Sequence, residues 1–266
     1  MRYLRALALW ALFAASSAAL AAPSVQGMWF DPDESGWGFT VIEHGDRLFC
    51  VLAVYDYTGH TTWYVVPGGQ WDPAHSSFSG DVYHPRAAEF TVYEASRFDP
   101  GAPVGTLTFT SSAGSTAALT YTIEGMPGAK AVQRFDFGLP VSGARDYTDM
   151  WWGGPSQNGW GVVMLQQGDT IVSLWCTYFS QAVLGVPGVP AWFMLQPGRW
   201  ASADTYTGTI YRPFGPRWLG VNYDGRALQA PPNGPYTLQF TDADHAVLDY
   251  SVLGMSGTLL LERMPF

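Results

Sequence analysis

The feature that most constrains the fold is that the chain repeats itself. The segment Ser35-Gly36-Trp37-Gly38 returns as Asn158-Gly159-Trp160-Gly161, and further matches follow in the same order along both halves. They include Met28-Trp29-Phe30 with Met150-Trp151-Trp152, Trp63-Tyr64 with Trp192-Phe193, Gly69-Gln70-Trp71 with Gly198-Arg199-Trp200, and Gln133-Arg134 with Glu262-Arg263. The period far exceeds the ~20 to 50 residues of solenoids and propellers, so each copy is expected to be a domain with its own core.

The first residues have the pattern of a secretory signal peptide. Arg2 and Arg5 precede an apolar run, and Ala19-Leu20-Ala21 forms an A-x-A cleavage site. The apolar run is shorter than the ~20 residues that a membrane-spanning helix needs. We therefore predict a secreted or periplasmic bacterial protein that does not span a membrane after cleavage. Its predicted parts are a signal peptide at 1–21, a first domain at 22–138, a Gly/Pro-rich linker at 139–146 and a second domain at 147–266.

The charge of the mature chain disfavours a nucleic-acid partner. Removal of Arg2 and Arg5 leaves 11 basic residues against 22 acidic ones, which changes the formal net charge from -9 to -11. Only one lysine, Lys130, is present. A surface that binds phosphates needs clustered Lys and Arg. The 47% of hydrophobic residues instead predicts a substantial core.

The local pattern predicts an all-β protein. Short runs rich in β-branched and aromatic residues alternate with turn-forming segments. In the first copy these predicted strands cover residues 37–43, 48–55, 62–66, 78–83, 90–93, 106–110, 118–123 and 131–137. About eight consecutive antiparallel strands per copy favour two tandem up-and-down barrels, because closure removes the edges of a sheet. Two β-sandwiches are the alternative.

The order of motifs resembles a known group of sequences. Ser/Asn-Gly-Trp-Gly, Gly-Asp, a tyrosine, Trp-aromatic and a final Glu/Gln-Arg resemble tandem repeats in uncharacterised secreted proteobacterial proteins. The resemblance covers both halves and implies no particular activity. In architecture alone, each half is similar to the meander barrels of the avidin and lipocalin type, whose first strand also opens at an element like Gly27-Met28-Trp29.

Aromatic residues shared by the two copies are the candidates for ligand binding. They are Trp37, Tyr55, Trp63 and Trp71 in the first copy and Trp160, Tyr178, Trp192 and Trp200 in the second. Two interpretations stay open for them: they fill the core, or they line a barrel mouth that stacks on a sugar or an apolar molecule. The resulting prediction is a non-enzymatic binding protein with an aromatic mouth in each barrel for a small apolar or glycan ligand.

Trp29 and Trp151 are expected to serve the core, because they open the first strand where a barrel floor is sealed. Arg134 and Arg263 end the last strand of each copy. We expect each arginine to pack over the tryptophan of the first strand and to bind loop carbonyl groups.

Apart from the aspartate of the Gly-Asp turn and the arginine that ends the last strand, the candidate catalytic and metal-binding residues do not recur between the copies, so no catalytic residue, metal ligand or cofactor is assigned. The acidic loop of Asp31, Asp33 and Glu34 is replaced in the second copy by Gly, Pro, Ser and Gln, which argues against a shared calcium site. Two alternatives to binding stay open. One is a hydrolase that uses Glu34, Glu43 or Asp46 of the first copy only, and the other is a structural or adhesion module of the cell envelope.

The two cysteines occupy unrelated positions in the copies. Cys50 aligns with Ser173, and Cys176 aligns with Ala53. A disulfide between the halves and two buried free thiols are both compatible with the sequence, since pairing depends on geometry.

Overall fold

The computed structural model describes residues 24–112, 114–138, 145–181, 186–220 and 222–266. In these ranges the chain forms seventeen strands, β1 to β17, and two three-residue 3-10 turns, Ala95–Arg97 and Gly225–Ala227. No helix in them has the length and apolar character that a membrane crossing requires. The predicted signal peptide, 1–21, and residues 139–144 of the predicted linker lie outside the described residues.

The second half of the chain is a closed barrel of eight antiparallel strands. Each strand pairs with the next one along the chain, and the last returns to the first. Their bounds are β10 Asp149–Trp152, β11 Gly161–Gln167, β12 Thr170–Gln181, β13 Val186–Trp200, β14 Thr205–Tyr211, β15 Pro232–Phe240, β16 His245–Val252 and β17 Met255–Arg263. The predicted meander barrel is therefore confirmed, and the sandwich alternative is wrong.

The first half has the same topology with one interruption. Its nine strands are β1 Gly27–Phe30, β2 Gly38–His44, β3 Arg47–Tyr55, β4 Thr61–Val66, β5 Gln70–Trp71, β6 Ser77–Val82, β7 Gly105–Ser112, β8 Thr116–Ile123 and β9 Met126–Arg134. They form one curled sheet in the order β4-β3-β2-β1-β9-β8-β7-β6-β5. Residues 67–69 separate β4 from β5, whereas β13 runs through the equivalent stretch without a break.

Two backbone hydrogen bonds bridge the open seam of this first barrel. Val65 N–H donates to the carbonyl of Tyr83 at 3.0 Å, and Tyr83 N–H donates back to Val65 at 2.9 Å. The sheet therefore curls round until β4 meets the residue that follows β6.

The floor of the first barrel is sealed as predicted. Trp29 is fully buried, and its indole N–H donates to the carbonyl of Val25 at 3.0 Å. The guanidinium of Arg134 lies 5.0 Å from the centre of the Trp29 ring and donates to the carbonyls of Gln26, at 3.0 Å, and Ser24, at 2.5 Å. The predicted structural role of Arg134 is confirmed.

The second barrel has the same floor with an added ion pair. Trp151 is fully buried and donates to the carbonyl of Tyr147 at 3.0 Å. Arg263 lies 4.9 Å from the Trp151 ring centre, donates to the carbonyl of Thr148 at 3.2 Å and pairs with Asp149 at 2.9 Å. The role predicted for Arg263 is therefore confirmed as well.

Two local predictions are wrong. Residues 90–93 form no strand and belong to a long loop between β6 and β7. The backbone N–H of Phe90 donates to the carbonyl of Tyr178 in the other barrel at 3.1 Å, so its apolar side chain serves packing between barrels rather than pairing in its own sheet. The predicted strand at 131–137 is also misplaced, because β9 begins at Met126 and ends at Arg134.

The two barrels pack side by side through the outer faces of their second to fourth strands. From Leu48 to Tyr55 every residue of β3 is buried, although the residues of a strand alternate between two faces. One face of β3 fills the first barrel, and the other is covered by the second barrel. This contact surface carries the candidate site.

Candidate ligand pockets between the barrels

Two tryptophans join the barrels through reciprocal hydrogen bonds. Trp63 on β4 donates its indole N–H to the carbonyl of Thr177 on β12 at 3.0 Å, and Trp192 on β13 donates to the carbonyl of Val54 on β3 at 3.0 Å. Both tryptophans are buried. Because each satisfies its donor on the opposite barrel, neither indole is explained by its own barrel alone.

Two tyrosines complete this contact. The ring of Tyr55 lies 5.6 Å from the ring of Trp192, and the ring of Tyr178 lies 5.6 Å from the ring of Trp63. Tyr55 donates its hydroxyl to the carbonyl of Gly36 at 2.6 Å, and Tyr178 donates to the carbonyl of Gly159 at 2.5 Å. Burial raises the pKa of both phenols, so they stay protonated and keep donating.

Each barrel also receives an aromatic side chain from a long loop of the other barrel. We call residues 83–104 and 212–231 the exchanged loops. Phe90 of the first contacts the rings of Trp175 and Tyr250 in the second barrel, at 5.5 and 6.0 Å. Trp218 of the second is fully buried and stacks on Tyr121 of the first barrel at 4.7 Å. Each barrel therefore completes the core of its neighbour.

The repeated Gly-Trp-Gly motif is the place where the exchanged loops dock. Gly36 and Gly159 have positive φ angles of 112° and 104°, which only glycine adopts readily. A Cβ atom on Gly36 would lie 2.7 Å from Leu228, and one on Gly159 would overlap Phe98. The first glycine of the motif thus leaves room for a side chain of the other barrel.

The tryptophan of the motif is fixed by a partly buried ion pair in the first barrel. Trp37 donates to the carboxylate of Glu34 at 3.1 Å, and Lys130 holds the same carboxylate at 2.6 Å. The Trp37 ring meets the ring of Trp218 at 5.1 Å in an edge-on contact. Glu34 therefore orients the Trp37 ring, and Lys130 neutralises the charge of the Glu34 carboxylate.

The docking of the barrels leaves two cavities at equivalent positions on either side of the tryptophan contact. Pocket A has a volume of about 430 Å³ and pocket B about 420 Å³. Each lies over the outer face of the first three strands of one barrel and is closed by β3–β4 or β12–β13 and the exchanged loop of the other. Volumes of this size suit a small organic molecule.

Pocket A is built on the first barrel, and none of the described residues that line it carries a charged side chain. Its floor is formed by Gly38, Thr40 and Ala53, and Trp37 stands at one side. The second barrel supplies Trp192 and Leu228. The complete lining is Met28, Phe30, Ser35, Gly36, Trp37, Gly38, Thr40, Ala53, Tyr55, Phe135, Val172, Leu174, Trp192, Met194, Gln196, Tyr211, Pro213, Leu228 and Ala230.

Pocket B is built on the second barrel in the same way and is also free of charged side chains. Trp160 and Gly161 take the places of Trp37 and Gly38, Cys176 takes the place of Ala53, and the first barrel supplies Trp63. The complete lining is Phe49, Val51, Trp63, Val65, Pro67, Tyr83, Pro85, Phe98, Pro100, Gly101, Met150, Trp152, Asn158, Gly159, Trp160, Gly161, Cys176 and Met264.

Two groups distinguish pocket B from pocket A. Trp152, where pocket A has Phe30, contributes an indole N–H that is buried and makes no hydrogen bond to any described residue. Cys176 contributes a buried free thiol, and its burial raises the thiol pKa. These two side chains therefore distinguish the wall of pocket B from that of pocket A.

Six of the eight predicted site residues lie at one of the two pockets or directly behind pocket B. Trp37, Tyr55 and Trp192 line pocket A, and Trp63 and Trp160 line pocket B. Tyr178 lies behind pocket B, where its hydroxyl holds Gly159.

The two remaining predicted residues lie at neither pocket. Trp71 stacks on His75 at 5.6 Å and meets Phe78 at 5.5 Å. Trp200 meets Tyr206 at 5.2 Å and donates to the carbonyl of Asp169 at 3.0 Å. Both pack on their own barrels.

The pockets also contain residues that the sequence comparison did not single out. Leu228 and Phe98 come from the exchanged loops, and Val172 and Phe49 come from strands of the neighbouring barrel. For Phe49 the signal was present in residues 48–55, a run of apolar side chains that ends at Tyr55. Such a run indicates a strand covered on both faces.

The three carboxylates of the hydrolase alternative do not converge. Glu34 precedes β2, whereas Glu43 and Asp46 lie at its far end, and a seven-residue strand spans about 20 Å. Glu43 accepts hydrogen bonds from Ser24 and Val25, and Asp46 lies 4.0 Å from His75. Glycosidic cleavage needs two carboxylates within ~10 Å, so Glu34 cannot pair with either of the others.

The cysteines are both free, and they lie on different faces of different barrels. Cys50 faces Val41 within the first barrel, and Cys176 faces Gly161 on the outer surface that forms pocket B. Among the described residues, no three His, Cys, Asp or Glu side chains come together as a metal site.

Comparison with models of known protein families gives no match to this chain. Comparison with curated proteins gives no significant match either.

Proposed function

We propose that the protein is a secreted or periplasmic, non-enzymatic binding protein that holds small, neutral, apolar molecules in pockets A and B. The observation that carries the proposal is the pair of uncharged, tryptophan-lined cavities of nearly equal volume at equivalent positions between the barrels. The signal-peptide pattern of residues 1–21 supports the location.

The lining favours an apolar ligand over a glycan. A sugar needs several hydrogen-bonding side chains beside an aromatic face, and leaving its hydroxyl groups unpaired in a buried site is costly. Among mainly apolar residues, pocket A offers Ser35, Thr40, Gln196 and Tyr211, and pocket B offers Asn158 and Tyr83. The cavities also favour binding over a purely structural module, which would fill its domain interface.

Titration with Nile red, a neutral dye whose emission rises in apolar surroundings, tests the proposal. The expected result is saturable binding of two dye molecules per chain. Ala53→Phe and Cys176→Phe place a ring on the floor of pocket A or pocket B, and each is expected to reduce the stoichiometry to one. Ala203→Phe, at an exposed position on the second barrel, is the matched control and should leave two sites.

A second measurement needs no substitution in a pocket wall. Alkylation of Cys176 by a neutral maleimide should slow when the dye is bound, while alkylation of Cys50, inside the first barrel, should be unchanged. Absence of saturable dye binding to the folded wild-type chain, together with no protection of Cys176, would overturn the proposal.

A further inference from the structure

A third cavity, pocket C, differs in chemistry from pockets A and B. It has a volume of about 360 Å³ and lies at the end of the first barrel opposite Arg134. The β3–β4 and β8–β9 turns contribute Asp56 and Glu124, and the exchanged loop of the second barrel contributes Arg217. Unlike the other two cavities, it is lined by charged side chains of both signs.

The inner part of pocket C is a fixed hydrogen-bond network. Tyr64, which is buried, donates to Oε1 of Glu124 at 2.9 Å. His84 lies 3.3 Å from the same oxygen through Nδ1 and 3.0 Å from the hydroxyl of Thr62 through Nε2. The hydrogen bonds from His84 and Tyr64 lower the pKa of Glu124, so its carboxylate stays ionised at neutral pH.

This network occupies one carboxylate oxygen of Glu124 and leaves the other without a partner among the described residues. Pocket C therefore holds a positioned hydrogen-bond acceptor that protein groups do not satisfy.

Two arginines stand at the rim of the pocket. Arg86 and Arg217 are exposed, and neither makes an ion pair with a described carboxylate. Basic residues are scarce in this chain, with 13 Lys and Arg against 22 acidic residues. The charge of Arg217 acts on Glu124 from beyond ion-pair distance, and its guanidinium lies 3.4 Å from the sulfur of Met126. Neither guanidinium is held by a carboxylate within 4.0 Å, so both can turn to an anion in the cavity, and guanidinium geometry matches a carboxylate.

The remaining wall of pocket C is apolar. Met126 follows the β8–β9 turn, Val189 and Pro190 belong to β13, and Leu219 belongs to the exchanged loop of the second barrel. A ligand that fills the cavity therefore needs an apolar part in addition to its polar groups.

At the equivalent end of the second barrel, the described residues do not repeat this chemistry. Phe179, Phe193 and Leu253 align with Asp56, Tyr64 and Glu124, respectively. Arg212, which aligns with His84, lies over the ring of Phe179 at 4.6 Å. The polar groups of pocket C are thus a feature of the first barrel and serve no packing role common to both.

We propose that pocket C binds a small organic carboxylate that also carries an apolar group and an amino or hydroxyl donor. Arg86 and Arg217 bind its carboxylate, and the free oxygen of Glu124 accepts from its donor. Met126, Val189 and Leu219 pack on its apolar part. This site is independent of the apolar ligands proposed for pockets A and B.

Four probes of nearly equal size separate these contributions in calorimetric titration: phenyllactate, phenylalanine, phenylpropionate and phenylpropanol. Phenyllactate and phenylalanine carry both polar groups and are expected to bind best. Phenylpropionate lacks the donor beside the carboxylate and should bind more weakly, and phenylpropanol lacks the carboxylate and should not bind measurably.

Exposed arginines make the decisive variants, because their replacement should not disturb folding. Arg86→Gln with Arg217→Gln should weaken phenyllactate binding at least tenfold, since two charge-assisted contacts are lost. Arg47→Gln, which removes an exposed charge far from pocket C, should have no effect. Glu124→Gln should remove the advantage of phenyllactate over phenylpropionate. Nile red titration of each variant reports separately on pockets A and B.

The proposal is overturned if none of the carboxylates binds the folded wild-type chain at millimolar concentration. It is also overturned if the double arginine variant binds phenyllactate as tightly as the Arg47→Gln control does.

Discussion

Trp63 and Trp192 have equivalent roles on opposite sides of the contact between the two barrels. Each indole N–H reaches a carbonyl of the other barrel at 3.0 Å, and each ring forms a wall of a pocket. The same side chain therefore contributes to the stability of the pair of barrels and to the shape of a cavity. Replacements at these positions affect both properties together.

We predict that Trp63→Phe and Trp192→Phe each lower the free energy of unfolding by about 1 to 3 kcal/mol, because each removes a buried hydrogen bond and part of a buried ring. Chemical denaturation measures this loss. Trp71→Phe is the matched control, since Trp71 is half-buried and touches only its own barrel, and it should cost less than either interface substitution. Equal losses at all three positions would show that the barrel contact contributes little.

The first glycine of the repeated motif is a second residue whose role depends on the neighbouring barrel. Gly36→Ala and Gly159→Ala should each destabilise the protein by more than about 2 kcal/mol, because the added methyl group meets Leu228 or Phe98 in a backbone conformation that is already unfavourable for alanine. Thermal unfolding provides the measurement.

Gly45→Ala separates the two causes. Gly45 also has a positive φ, of 61°, but an added Cβ would meet no atom within 4 Å. Its replacement should cost only the backbone strain, about 1 kcal/mol. A loss at Gly45 as large as that at Gly36 would mean that loop docking is not what requires the glycine.

At the scale of elements, the exchanged loops supply core side chains although they form no strands in their described residues. Phe90 belongs by sequence to the first barrel, yet its ring contacts are with Trp175, Phe179, Phe193 and Tyr250 of the second. Each loop therefore acts as a core element of the barrel that it does not belong to.

We predict that Phe90→Ala lowers the free energy of unfolding by about 2 to 4 kcal/mol through a cavity in the second barrel. Amide exchange should rise mainly in β12, β13 and β16 rather than in β6 and β7. Val92→Ala in the same loop, at a side chain 63% exposed, should change stability by less than about 0.5 kcal/mol. Faster exchange confined to the first barrel would contradict this assignment of Phe90.

Most strands could be predicted from the sequence because the signals for them are local. Turn residues such as Gly45-Asp46 and alternation such as that in residues 118–123 fix where a strand begins and which face is buried. Residues 90–93 were wrongly predicted as a strand for the same reason. Their aromatic and β-branched side chains are typical of a strand, but Phe90 packs against the second barrel and the segment pairs with no strand of the first. The break between β4 and β5 falls at Pro67-Gly68-Gly69, whereas β13 of the second barrel runs through the equivalent residues 196–198.

At the scale of the whole molecule, the sequence predicts the parts better than their arrangement. The Trp29–Arg134 floor is predictable because both residues lie in one barrel. Pockets A and B combine segments more than a hundred residues apart, such as Ala53 with Leu228, and no local pattern records that proximity. Trp37, Trp63, Trp160 and Trp192 do line cavities, but these cavities face the neighbouring barrel rather than opening into a barrel mouth.

We predict that the two barrels stay associated without the peptide link between them. A protease site inserted between residues 138 and 145 should, after cleavage, yield two fragments that co-elute in size-exclusion chromatography, because the exchanged loops and the indole hydrogen bonds cross the interface. After the same cleavage, the fragments of the Trp63→Phe and Trp192→Phe double variant should already separate at a protein concentration at which the wild-type fragments stay together. Separation of the wild-type fragments at micromolar concentration would contradict the prediction.

The burial of Trp218 in the first barrel also has a consequence for biosynthesis. A ribosome makes the chain from its N-terminus, so all nine strands of the first barrel exist before the side chain that completes their core. Until about eighty more residues have been added, Trp37 and Tyr121 lack their aromatic neighbour, and the nascent domain exposes apolar surface. The N-terminal half therefore keeps this apolar surface exposed until Trp218 has been synthesised. We expect chaperones to bind the nascent chain during that interval.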